Sequence, residues 1–187
     1  MTSTANSPTA TTRTAGPTLQ PEIVTRPFAR YVLALARIVT GLYFLWAFVD
    51  KLLGLGFSTP SANAWINGGT PAQGYIGNVA VNGPIGPFFE LFNNPFGDVL
   101  FMAALLGIGV ALVFGAGLKV AAVSGALLLL FMYLASPPWA LEGATNPLID
   151  SHVLEGFLVI LPALTLAGDT WGLGRWWSTV VGDSWLR

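Results

Sequence analysis

The sequence predicts an all-α membrane protein: a bundle of four transmembrane helices in the plasma membrane, with both termini cytoplasmic and short interfacial helices in a long first outer loop. Three observations predict it. Hydrophobic residues fill 53% of the 187 positions and charged residues only 9%, so a soluble fold would lack polar surface. Four apolar stretches approach the roughly 20 helical residues needed to cross about 30 Å of hydrocarbon. Lys and Arg gather on one side of the resulting four-span arrangement.

Composition also excludes function classes. With no cysteine, the chain can carry no disulfide, thiolate metal site, iron–sulfur ligation, thioether-bound haem or persulfide. A net charge of −1, with no basic cluster beyond Arg26 and Arg30, leaves no electrostatic footprint for nucleic acid.

Residues 1–27, rich in Thr, Ser, Ala and Pro, read as a disordered cytoplasmic tail without a cleavable signal. Residues 28–170 form the transmembrane domain. Its first span is Tyr31–Val49, followed by a loop from Asp50 to about Gly97 in which Thr59-Pro60 and Gly86-Pro87 each mark the start of a short helix. The second and third spans, Val99–Leu118 and Val120–Ser136, are separated only by Gly115-Ala116-Gly117 and Lys119, which requires a tight antiparallel hairpin. Asn146-Pro147 supplies a cap and first-turn proline for a fourth span, Pro147–Ala167, with Pro162 expected to kink it and Gly168 to stop it. Residues 171–187 read as an interfacial cytoplasmic tail. Trp65, Trp139, Trp171, Trp176 and Trp177 fall just outside the spans, where an aromatic belt would lie.

Sidedness follows from Arg13, Arg26, Arg30, Lys119, Arg175 and Arg187, which share one side, against Lys51 alone on the other. The outer side carries Asp50, Glu90, Asp98, Glu142 and Asp150. Ala103, Gly107, Ala111 and Gly115 recur every four residues, as do Ala121 and Gly125; such small-residue rows mark a helix–helix seam, within the chain or with another protomer.

Ionisable groups at membrane depth are the strongest pointers to function, because an unpaired charge there is costly. Arg37 lies about two turns into the first span and either snorkels to headgroups or meets an internal partner. Asp50 and Lys51 close that span on the outer side. Asp150, His152 and Glu155 stand in the first turns of the fourth span, with His152 and Glu155 on one helical face. Asp150 is either a first-turn acid favoured by the helix dipole or a catalytic one. Glu155, deeper, requires Lys51, Arg37, His152 or a proton, and with His152 it forms a pair suited to proton relay or to a quinone carbonyl. As the sole histidine, His152 disfavours a two-histidine haem within one protomer, and no transition-metal site is expected.

Residues Leu35-Ala36-Arg37, Gly41-Leu42-Tyr43-Phe44-Leu45-Trp46 and Asp50-Lys51-Leu52, then Gly68-Gly69-Thr70-Pro71-Ala72-Gln73-Gly74-Tyr75, and finally Asn146-Pro147-Leu148-Ile149-Asp150-Ser151-His152, together resemble the DoxX/DoxD-like membrane proteins. The resemblance covers roughly residues 30 to 175, and the long first outer loop is closer to the DoxD type. It implies the membrane subunit of a thiosulfate:quinone oxidoreductase, which oxidises thiosulfate to tetrathionate outside the membrane and passes electrons to quinone. It also implies a second redox subunit, DoxA. Only a short tail with Arg175, Trp176 and Trp177 follows the fourth span, so no fused equivalent is expected.

Two classes of function stay open. The first is a quinone-linked redox subunit: Lys51, with Asp50 and Arg37, on the substrate side, and His152, Glu155 and Asp150 handling protons. The second is a non-catalytic component that scaffolds a respiratory or oxidant-defence complex, as a homo-oligomer or with partner subunits in the bilayer. A solute carrier fits less well, because four short spans show no inverted repeat.

Overall fold

The computed structural model describes residues 16–140 and 143–187. Arg13 and Glu142, both used for sidedness, lie outside the described residues, as do residues 1–15 of the expected tail. Among the described residues every regular element is helical: α1 (Gln20–Ile23), α2 (Pro27–Leu53), α3 (Pro71–Asn82), α4 (Gly86–Phe89), α5 (Pro95–Phe114), α6 (Leu118–Ala135), α7 (Ser151–Leu164) and α8 (Gly174–Val181). Helices α2, α5, α6 and α7 pack as an antiparallel bundle.

Among the described residues, three helices are long and apolar enough to cross a membrane: α2, α5 and α6 with its extension to Ala140, at mean hydropathies of 2.0, 2.2 and 2.0. At 1.5 Å per residue the 27 residues of α2 reach about 40 Å. Their outward faces carry exposed apolar side chains such as Val32, Leu35, Val39 and Leu42, which suits lipid contact. Inside, Phe44, Ile108, Leu112, Leu129 and Val159 bring all four bundle helices into one core.

Helix α5 starts four residues before the expected Val99, because the Asn94 side chain accepts the Gly97 N–H and Pro95 takes the first helical position. The expected hairpin follows: Gly115 and Gly117 adopt φ of 72° and 67°, a left-handed conformation that ends one helix and starts the next.

The helix expected over Pro147–Ala167 is present with corrected ends. Asn146 accepts the N–H groups of Leu148 and Ile149, closing a turn around Pro147 instead of capping a helix. Asp150 is the cap, accepting from Val153 N at 3.3 Å, and α7 begins at Ser151. Pro162 stands in its last turn, and the helix ends at Leu164, before the expected stop at Gly168. Its 14 residues span about 21 Å, short of a standard hydrocarbon core.

The small-residue rows divide. Ala121 and Gly125 are buried, and a Cβ on Gly125 would meet Val159 at 3.3 Å, so this row is the α6–α7 seam. On α5, however, Ala103 and Gly107 are exposed, and a Cβ on Gly107 would meet nothing. The close approach of α2 to α5 runs instead through Gly41, where a Cβ would lie 2.8 Å from Val113 N, and Gly109, 2.7 Å from Leu45 Cγ.

The loop between α2 and α5 is folded. Both expected helix starts appear, as a 3₁₀ turn Ser61–Asn63 after Pro60 and as α4 with Pro87 in its first turn. Helix α3 was not anticipated, although Thr70-Pro71 carries the same signal. Buried Asp98 accepts from Ala72 N at 2.7 Å, Gln73 N at 3.1 Å and the Gln73 side chain, tying the start of α3 to α5. A Cβ on Gly69 would fall 2.0 Å from Asn63 O. The Gly68–Gln73 stretch thus has a structural role.

Part of the expected N-terminal tail is built into the fold. Gln20 in α1 is fully buried; its N–H donates to Asp169 at 2.9 Å and its side-chain oxygen accepts from Thr170 at 2.6 Å. In the expected C-terminal tail, Arg187 pairs with buried Asp169 at 3.1 Å and with Asp183 at 2.8 Å.

Candidate functional site

At the end of the bundle where α2 finishes and α7 begins, a cavity of about 420 Å³ gathers Lys51, His152 and Glu155. Each arrives for a local reason. Tyr43, Ala47 and Lys51 follow one another at four-residue intervals, so one face of α2 carries phenol and ammonium to the cavity wall. The cap at Asp150 fixes the register of α7 and turns His152 and Glu155 to the same space.

His152 Nδ1 lies 2.6 Å from Asp150 Oδ2. That carboxylate both caps α7 and orients the imidazole, the part a positioning acid takes toward a proton-handling histidine. Asp150 is therefore behind His152 and not itself at the cavity wall. Glu155 was expected to approach Lys51 or His152. It shares the cavity with both, but its hydrogen-bond partner is Tyr43, whose hydroxyl donates at 3.1 Å from α2. Tyr43 was missed as a site residue; its signal was the i, i+8 spacing to Lys51. Lys51 donates to Ser58 Oγ at 3.5 Å and makes no ion pair among the described residues.

Of the other two residues expected on the substrate side, Asp50 stands behind the cavity wall and Arg37 lies far from it. Asp50 is 1% exposed and accepts from Ser58 Oγ at 2.6 Å, Ser58 N at 3.0 Å and Phe57 N at 3.3 Å. Its carboxylate locks the turn that leaves α2. Arg37 lies 14 positions before Lys51, about 21 Å along the helix, at the other end of the bundle. It is fully buried and does not snorkel. Its guanidinium donates to five backbone carbonyls: Leu112, Val113 (2.8 Å), Ala167 (3.2 Å), Thr170 (3.3 Å) and Trp171 (2.9 Å). The first two belong to the last turn of α5, which has no intrahelical donors left and presents the negative end of the helix dipole. The internal partner of Arg37 is backbone.

The site at the Lys51 end thus combines an ammonium, a phenol–carboxylate pair and an imidazole–carboxylate pair around one space. Such a set can bind a polar or anionic group and move protons to it. Compared with known proteins, the chain matches no family model, no curated protein and no solved structure.

Proposed function

We propose that the chain is the DoxD-like membrane subunit of a quinone-linked thiosulfate oxidoreductase, spanning the plasma membrane four times with both termini cytoplasmic. The observation that carries this reading is the convergence of Lys51, Tyr43, Glu155 and His152 on one cavity within an apolar bundle. Two thiosulfate dianions join through a new S–S bond to give tetrathionate and release two electrons. The quinone takes up those electrons with two protons and becomes a quinol. Lys51 attracts the dianion, His152 and Glu155 deliver the protons, Asp150 orients His152, and a separate DoxA-type subunit completes the enzyme.

Support for α7 as the fourth span comes from its flank. Irregular backbone is tolerated at membrane depth only where its polar groups are satisfied, and Arg37 satisfies carbonyls of the segment that follows α7.

The test is purification in mild detergent, solvent extraction of bound quinone, and reconstitution with candidate partner subunits and a quinone analogue. The expected results are bound quinone, thiosulfate-dependent quinol formation, and a loss of about a hundredfold in rate for His152→Asn. Glu155→Gln is expected to impair turnover where Asp183→Asn, at the opposite end, does not. A pure protein that binds no quinone and stays inert with partners supplied overturns the reading. A second reading, a scaffold for a respiratory or oxidant-defence complex, draws on the exposed Ala103 and Gly107 of α5, a surface that lets another helix approach closely. It predicts a co-purifying complex that Gly107→Leu dissociates.

A further inference from the structure

A second cavity, of about 410 Å³, lies between α3, α4, α5 and α6. Its lining is almost wholly apolar, with Ile76, Phe89, Ala104 and Leu128 among its walls. Lys51, Phe101, Leu128 and Met132 line this cavity and also the one described above that holds His152 and Glu155, so the two spaces are neighbours that share part of one wall. Two of the four, Lys51 and Met132, are long and unbranched, able to swing aside at little cost. Toward the outside of the bundle the apolar cavity is bordered by Leu100 and Leu127, which are 48% and 49% exposed on the outer surfaces of α5 and α6.

We propose that the second, almost wholly apolar cavity holds the prenyl tail of a membrane quinone whose ring occupies the cavity of Lys51, Tyr43, His152 and Glu155, the tail entering sideways from the bilayer between α5 and α6. This rests on the quinone reading and adds to it the route and the tail site. The division of the two spaces matches the division of the molecule: a ring with two oxygens that need hydrogen-bond donors and protons, and a hydrocarbon chain that needs only packing. Each volume lies within the roughly 300–1,000 Å³ of ordinary ligand sites. In a bilayer the tail gains nothing by leaving water, so its preference for the cavity comes from close packing and from the ring that tethers it next door.

The test uses the full chain in nanodiscs and two probes, a tailless benzoquinone and a prenylated quinone carrying a diazirine on the first tail unit. The prenylated probe is expected to crosslink to α5 around Leu100–Ala104 and to α6 around Ser124–Phe131. Leu127→Trp, at the exposed mouth where the fold is least disturbed, is expected to overfill the entrance and weaken the prenylated probe about tenfold while the tailless probe binds as before. If both probes bind but the crosslinks fall elsewhere, or if Leu127→Trp changes neither affinity, the tail site is wrong and the quinone reading stands. If neither probe binds, both fall together.

Discussion

Arg37 carries a charge into the bundle, and no carboxylate pairs with it among the described residues. Its five carbonyl partners make that tolerable, since each presents an oxygen that would otherwise be left without a donor. Two of those carbonyls, of Ala167 and Trp171, adjoin or belong to residues with left-handed backbone: Leu166 at φ 47° and Trp171 at φ 52°. A non-glycine residue keeps such a conformation only when its surroundings hold it, and here the guanidinium acts together with the Tyr31 ring stacked on Trp171 at 5.2 Å and the Asp169 N–H on the Leu166 carbonyl. Arg37→Met is therefore expected to lower stability by about 3 kcal/mol or more, read as a fall in melting temperature in detergent. Arg37→Lys keeps the charge but offers three donors from a single point, so it should recover only part of the loss. A Met variant as stable as the parent would mean the carbonyls find other donors.

Helix by helix, the sequence was most legible where periodicity was long and a turn signal sharp. The three long apolar helices and the Gly115-Ala116-Gly117 hairpin follow directly from run length and from glycines that alone adopt left-handed turns cheaply. Helix α7 was over-extended, because Asn146-Pro147 closes a turn as readily as it caps a helix and only the competing cap at Asp150 decides between them. Within the candidate site, Lys51, His152 and Glu155 were legible as rare ionisable groups in apolar sequence, whereas Arg37 and Asp50 misled for the same reason: sequence shows a charge but not the backbone that satisfies it. The glycine rows show the same limit. Four-residue spacing marks a smooth face but not what meets it, and the α2–α5 contact uses Gly41 and Gly109, off the α5 row. Gly109→Leu is expected to drive atoms into Leu45 and cost about 1–3 kcal/mol, while Gly107→Leu leaves the isolated protomer's stability unchanged. Thermal unfolding of the two variants side by side checks this, and equal losses would place Gly107 in a contact after all.

At the scale of the whole molecule, the two ends of the bundle are built differently. The Lys51 end is hollow, and the Arg37 end is tied shut by a polar network that reaches from Thr18 to Arg187. Thr18 donates from its backbone to both oxygens of Asp183, at 3.1 and 3.0 Å, and from its hydroxyl at 3.0 Å. Those Thr18 bonds, with Arg187, hold the Asp183 carboxyl below its ordinary value of 3.8. A depressed carboxyl stabilises the folded form above its ordinary value, and that contribution disappears as pH falls through the lowered one. The Thr18 strap should therefore loosen below about pH 4, seen as lower amide protection factors over residues 18–23, and Asp183→Asn should show low protection at every pH. The membrane orientation is a matter of which end faces in. With Arg187 neutralised by Asp169 and Asp183, Arg26, Arg30, Lys119 and Arg175 still give the Arg37 end a clear excess of positive charge over the single Lys51 at the other. Because the chain has no cysteine, single cysteines can report sidedness in the intact protein without background or truncation. Cysteines at Thr25, Ala116 and Thr179 should react with an impermeant maleimide only after the cells are opened, and cysteines at Ala62 and Ala144 should react in intact cells. The Ala144 and Thr179 pair decides the fate of α7, since they flank it in sequence: opposite reactivities mean that the 14-residue helix and its Arg37-bound flank cross the bilayer, and equal reactivities mean that only three helices do.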